Sequence, residues 1–278
     1  MSADAAATSE ALAAARLAWF RQDPEFALPS EASALEFIES MGLVLLFRSG
    51  SIQLPNLADA CVGGFWEWGL DPTGLSAWEL KETIPASGRA FYARLLGGRG
   101  TFVRWSLVPS LLAAWQPARR ARALDVVTLM GPISTRELRR EVQGMAPCEG
   151  REVRAAVGDL QNRLLITVAG GSVKGRSMHE WDLLERRVQG PAQEDVERAE
   201  GRRDLVRAFI TASLAAKPGA IGQLFGWSAE ETRTTIRELA HDGSVVADVR
   251  LEGLPGLFTG RAAAARRRSQ GSGYPKAA

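Results

Sequence analysis

The chain has 278 residues, 46% of them hydrophobic, with 34 basic and 32 acidic side chains and a formal net charge of +2, material for two or three small globular domains. No apolar run approaches the roughly 18 residues of a membrane span, and the opening MSADAAATSE is small and acidic rather than basic then apolar, so the expectation is a cytoplasmic protein without a signal peptide. Cys61 and Cys148, with His179 and His241 beside them, have neither disulfide-scaffold nor metal-ligand spacing, so no metal and no other cofactor is expected.

The small net charge hides a segregation along the chain. Residues 1–88 carry 4 basic and 12 acidic side chains, whereas residues 89–140 carry 10 arginines against Asp125 and Glu137. A basic block of this kind suits a polyanion, because each arginine that meets a phosphate releases condensed counterions. The bland alternative is a salt-bridged seam between the basic segment and the acidic one.

In chain order, residues 8–21 read as a helix with Thr8 or Ser9 as N-cap and Leu12, Ala15, Leu17, Trp19 and Phe20 as its apolar positions, broken by Pro24 and Pro29. A second helix runs from Ser30 to Met41 and stops at Gly42. Leu43–Phe47 is an apolar strand, Ser49-Gly50-Ser51 a turn, and Ile52–Leu54 a return strand, so residues 1–64 form a degenerate winged helix. Residues 65–117 are an aromatic- and arginine-rich connector, where Arg99 and Arg104, near Gly97, Gly98 and Gly100, are the basic groups best placed to reach a ligand.

Residues 118–189 read as a second winged helix. Its helices lie at Arg122–Met130, Ser134–Val142 and Arg151–Arg163, and the last buries Val153, Val157 and Leu160 while Arg151, Arg154, Gln161 and Asn162 stay available. Leu164–Val168 follows as a strand, Gly170-Gly171 turns the chain, Lys174 and Arg176 form a basic wing tip, and a second strand begins near Met178. Arg119, Arg120 and Arg122 add basic groups upstream. Residues 190–201 are a polar linker, residues 202–261 a third winged helix, and residues 262–278 a basic tail.

The third unit repeats the second. EVRAAVGDLQNRLLITV from Glu152 aligns with ETRTTIRELAHDGSVVADV from Glu231, placing Arg154 on Arg233, Val157 on Ile236 and Leu160 on Leu239. Ser228 and Glu231 have capping-box spacing, and Arg233, Thr234, Arg237 and His241 lie on the outer face of the helix they start. Two copies of one pattern define a mainly helical α+β fold of tandem winged helices more firmly than either alone.

Three winged helices with an aromatic and arginine-rich connector, together with WEWGL at Trp66–Leu70 and FYARLLGGRGTFVRWSLVPSLLAA at Phe91–Ala114, resemble the AlkZ/YcaQ-type DNA glycosylases. The resemblance implies a monomer that binds duplex DNA, associates with the nucleoid and acts in repair of alkylated or crosslinked bases, with no membrane and no small-molecule cofactor. Catalytic members carry a Gln-x-Gln or Gln-x-Asp motif after a Leu-Gly-like helix end. Here those two positions are Leu45 and Phe47, which can neither hold a water nor stabilise a cation, so the expectation is DNA binding without the motif's chemistry. Two alternatives remain. One is an active glycosylase using another polar group, with Glu39, Gln53, Glu67 or Asp71 in view. The other is a winged-helix transcription regulator.

Overall fold

The structure is a computed structural model and describes residues 8–67, 75–114, 122–145, 148–172, 178–188 and 196–262. After helix α1 (Ser9–Trp19), α2 (Glu31–Met41) begins at a capping box in which Ser30 and Ser33 satisfy each other's backbone N–H groups, and ends at Gly42, whose φ of 77° a residue with a Cβ rarely adopts. The chain continues as β1 (Leu43–Leu45), α3 (Leu57–Val62), α4 (Ala77–Ala86), β2 (Phe91–Leu95) and β3 (Arg99–Val103), with antiparallel sheet order β1-β3-β2.

The same helix–strand–helix–helix–strand–strand order then recurs twice. The second unit is α5 (Val108–Ala114) followed by α6 (Arg122–Met130), β4 (Ile133–Ser134), α7 (Thr135–Met145), α8 (Gly150–Asn162), β5 (Ile166–Ser172) and β6 (Met178–Leu183), closed by the short α9 (Leu184–Arg187). The third is α10 (Arg198–Ser213), β7 (Ala215–Ala216), α11 (Pro218–Phe225), α12 (Ala229–His241), β8 (Val245–Arg250) and β9 (Leu257–Arg261). In each unit the first strand pairs with the last, giving orders β4-β6-β5 and β7-β9-β8. The molecule is thus mainly helical with small sheets, and one continuous apolar core runs through all three units.

The repeat is physical as well as sequential. Val153, Val157 and Leu160 on α8, and Thr232, Ile236 and Leu239 on α12, are all buried at matching positions; each large aliphatic side chain so buried stabilises the fold by about 1.5–3 kcal/mol. Both helices leave through a left-handed residue, Gly243 (φ 75°) in the third unit and Leu164 (φ 57°) in the second. Leucine is disfavoured there, and Leu164 is held by burial and by donating its N–H to the Gln161 carbonyl at 2.9 Å.

Three local expectations are revised. Ile52–Leu54 is not a strand: the Ile52 N–H goes to Ser49 Oγ (3.3 Å), and Pro55 has no N–H for a ladder, so β1 takes β3 as its partner instead. The segment read as an irregular connector supplies α4, β2, β3 and α5, because Gly97 and Gly98 adopt positive φ and let Phe91–Leu95 pair back with Arg99–Val103. Residues 198–201, read as linker, form the first turn of α10, where Gly201 lets the helix approach α5 so closely that a Cβ would meet the Ser110 carbonyl oxygen at 2.6 Å.

Helix α1 does not pack where its place in the chain would put it. Arg16 donates from Nε to the Ser213 carbonyl (3.0 Å) and from Nη2 to that of Ala215 (2.7 Å), while Trp19 Nε1 donates to the Thr211 carbonyl (3.0 Å). The Thr211 and Ser213 carbonyls end α10, where unpaired acceptors and the negative end of the helix dipole favour a cation, and that of Ala215 opens β7. Burial lowers the pKa of Arg16 from its usual value.

Candidate nucleic-acid interface

A cleft of about 800 Å³ lies between the first and second units. The first unit contributes Trp78 and Lys81 from α4, Tyr92 and Arg94 from β2, and Leu46; the second contributes Arg136 and Arg139 from α7, Arg154 from α8, and His179 and Trp181 from β6. Among the described residues, five of the lining side chains are Lys or Arg and none is Asp or Glu. Positive charge in a concave, partly apolar wall concentrates polyanions, because the field is focused into the groove.

Behind that wall the charges are tied down. Lys81 and Glu82, both almost wholly buried, form an ion pair through Lys81 Nζ and Glu82 Oε1, and Glu82 Oε2 lies 3.1 Å from His179 Nδ1. A carboxylate only accepts, so Nδ1 carries the proton and donates it. The Lys81 ammonium sits 4.6 Å from the centroid of the Trp78 ring, whose other neighbour is Phe47 at 5.6 Å. Tyr92 is buried against His179 and Phe102; burial first, then the Glu82 charge, pushes its hydroxyl well above the usual phenol range, so it is a neutral group. Gly100 is needed opposite it, since a Cβ there would overlap the Tyr92 hydroxyl. Thr135 joins α7 to β6: its hydroxyl donates to the His179 carbonyl (3.2 Å) and accepts from Trp181 Nε1 (2.9 Å).

The residues singled out from sequence are distributed unevenly around this cleft. Arg154 lines it and is exposed; Arg151 is exposed and paired with Glu149 at 2.8 Å. Asn162 is exposed, but Gln161 is 1% exposed and packs into the cleft wall, contrary to the expectation that it stays available, because the units close over that side of α8. Arg99 is exposed beyond the β2–β3 turn. Arg104 is half-buried in a smaller cavity beside Asp204 and Arg207, its Nη1 3.4 Å from the Glu39 carbonyl. On α12, Arg233 and Arg237 both pair with Glu230, at 3.7 and 3.4 Å. Arg119, Arg120, Lys174, Arg176 and Asp71, with the basic tail from residue 263 on, lie outside the described residues, and so does the Arg122 side chain.

The motif positions stand at the cleft's edge and are apolar in fact as in sequence. Leu45 is 0% exposed in β1 opposite Thr101, and Phe47 packs on Trp66 (centroids 4.9 Å apart) as well as on Trp78. Glu39, Gln53 and Glu67 are all exposed and none lines the cleft. The nearby buried carboxylate of Asp59 is fully engaged, accepting from Arg48, Asn56, Gln22 and the Trp66 N–H at 2.8–3.0 Å.

Residues 28–182 match the family described as AlkZ related, a span that takes in both walls of the cleft and stops before the third unit. The chain belongs to the AlkZ-related family. Among solved structures, the DNA glycosylase AlkZ of Streptomyces sahachiroi superposes with a TM-score of 0.53 at 14% identity, over 84% of this chain and 66% of that one. At that identity the likeness concerns the fold, and this AlkZ-related chain spans only 66% of the enzyme's length. No curated protein matches the chain. No helix among the described residues is long and apolar enough to cross a membrane, and none of their His, Cys, Asp and Glu side chains cluster as a metal site would require.

The sequence reading missed Lys81, Glu82, Arg136, Arg139 and His179. A signal existed for the arginines, which sit three apart on α7 and so share a face. None existed for Glu82 and His179, which are 97 residues apart and meet only because the two units pack together.

Proposed function

We propose that this AlkZ-related protein binds damaged duplex DNA in the cytoplasm, as a nucleoid-associated monomer acting in DNA repair. In this reading each α-β-α-α-β-β unit is a winged helix, the first running from Glu31 to Val103, and the cleft between the first two receives the DNA. The observation that carries the proposal is the lining itself: Arg94, Arg136, Arg139 and Arg154 converge with Trp78, Tyr92 and Trp181, and among the described residues no carboxylate shares the wall. Arginines hold phosphates and set register without reading sequence, and the aromatic side chains of the wall lay apolar surface beside that charge. Leu45 and Phe47 leave DNA recognition independent of the chemistry that the motif supplies in catalytic relatives.

The test is fluorescence anisotropy of labelled duplexes titrated with protein at several salt concentrations. Wild type binds with an affinity that falls steeply as salt rises. Arg136→Ala/Arg139→Ala/Arg154→Ala lowers affinity about 10²-fold and flattens the slope of log K against log salt by about 2–3, near one unit for each phosphate no longer neutralised. Absent or salt-independent binding by the wild type overturns the proposal, and a variant that binds like wild type moves the DNA away from this cleft.

A further inference from the structure

The cleft also contains a group poised for chemistry that the motif positions cannot perform. We propose that Glu82 and His179 form a general-base dyad, His179 Nε2 taking a proton from a water that attacks a nucleotide bound in the cleft. This rests on the cleft being where DNA is engaged.

The geometry is specific. His179 donates from Nδ1 to Glu82 Oε2 at 3.1 Å, and Glu82 is 2% exposed and anchored through its other oxygen by Lys81. A carboxylate held this way fixes the imidazole tautomer with its lone pair on Nε2 and stabilises the imidazolium once a proton arrives. The histidine is 24% exposed, at the cleft surface, and its ring is wedged edge-on against Trp181 with centroids 5.2 Å apart. The two halves of the dyad come from different units, Glu82 from α4 and His179 from β6, so it exists only when the cleft does. A buried carboxylate is costly, and a structural pair needs no histidine facing a basic groove.

The lining bears on the substrate. Among the described residues it holds no carboxylic acid to protonate a leaving group; the Tyr92 hydroxyl is buried, and Lys81 is paired with Glu82. The substrate that suits it is a purine already made cationic by N-alkylation, whose base leaves without a proton. In the step, the water oxygen forms a bond to C1′ of the sugar while the C1′–N bond breaks and its electron pair neutralises the cationic base. One water proton goes to His179 Nε2 and on to solvent, and the other stays on the new hydroxyl, leaving an abasic sugar and a neutral alkylated base.

The experiment is single-turnover release of 7-methylguanine from a defined methylated duplex, with anisotropy binding of the same duplex run in parallel and thermal unfolding of every variant. Wild type releases the base. His179→Gln, which keeps a polar side chain in place, lowers the maximal rate about 10²-fold or more while half-saturation shifts less than threefold. His179→Gly regains part of its rate with added imidazole, and a folded Glu82→Gln variant is slowed like His179→Gln. Binding by wild type without release overturns the dyad and leaves the DNA-binding proposal standing, whereas absence of binding overturns both. A folded His179→Gln that releases base at the wild-type rate also overturns the dyad.

Discussion

Helices α8 and α12 carry the same buried stripe at the same spacing, yet their outer faces do opposite things. On α8, Arg154 reaches into a groove whose wall has no acid. On α12, Arg233 and Arg237 fold back on Glu230, while Glu231 is held by Arg202 (3.0 Å) and Arg198 (3.7 Å), and Glu238 by Arg203 (3.2 Å), all from α10. Exposed pairs of this sort contribute little each, but they leave α12 with its cations already balanced. On the proposed function, one module serves as a binding wall and again as a scaffold, and what separates the two uses is the charge of the neighbours.

The sharpest way to break this contrast is to strip both faces. Arg136→Ala/Arg139→Ala/Arg154→Ala is expected to cost about 10²-fold in duplex affinity, and Arg233→Ala/Arg237→Ala less than about twofold, because Glu230 already neutralises the latter cations. Equal losses in parallel anisotropy titrations end the distinction.

A smaller effect probes the apolar edge of the cleft. Leu45→Gln/Phe47→Asp places polar groups at the motif positions, but Leu45 is fully enclosed in β1, so the change costs about 3 kcal/mol through reduced apolar burial and an unsatisfied amide. Chemical denaturation should show that loss, and base release should not rise, since nothing around the strand is built to orient a water. Faster release by the double variant shows that the site had merely lost its side chains.

The smallest effect sharpens the scaffold reading of the third unit. Ser228 and Glu231 cap α12 reciprocally, the Ser228 N–H reaching Glu231 Oε2 at 2.9 Å and Ser228 Oγ accepting the Glu231 N–H at 3.1 Å. The Ser228 N–H first, then the Ser228 hydroxyl, with Arg202 and Arg198 adding, lower the Glu231 pKa from its ordinary 4.5. A depressed carboxylate pKa stabilises the folded state above the unfolded value and ceases to do so as pH falls through the folded one. Ser228→Ala is expected to cost about 1 kcal/mol at neutral pH and to make the decline in stability below pH 4.5 shallower, with DNA affinity unchanged.

What could be read from the sequence follows the same division. Periodicity located α8 and α12, and the repeat carried α6, α7, α10 and α11 with them, since each depends on local spacing and caps. The first unit was cut short because its last two strands lie about fifty residues beyond β1, and Ile52–Leu54 offered a nearer apolar partner that Pro55 rules out. Of the cleft's lining, the sequence singled out Arg154 and Gln161 on α8, the latter with the wrong exposure. Glu82 and His179 were not, because a contact between units leaves no mark in either stretch.

The anchorage of α1 bears on how the chain is made. Arg16 meets its carbonyl partners 197 and 199 residues further on, so as the polypeptide leaves the ribosome its first helix emerges long before the helix end that receives it. Until α10 is complete, α1 has a half-exposed Trp19 and an unsatisfied guanidinium and nothing to dock on. Its docking therefore waits until α10 and the start of β7 have been made, and α1 acts as a clasp that ties the beginning of the described chain to the third unit.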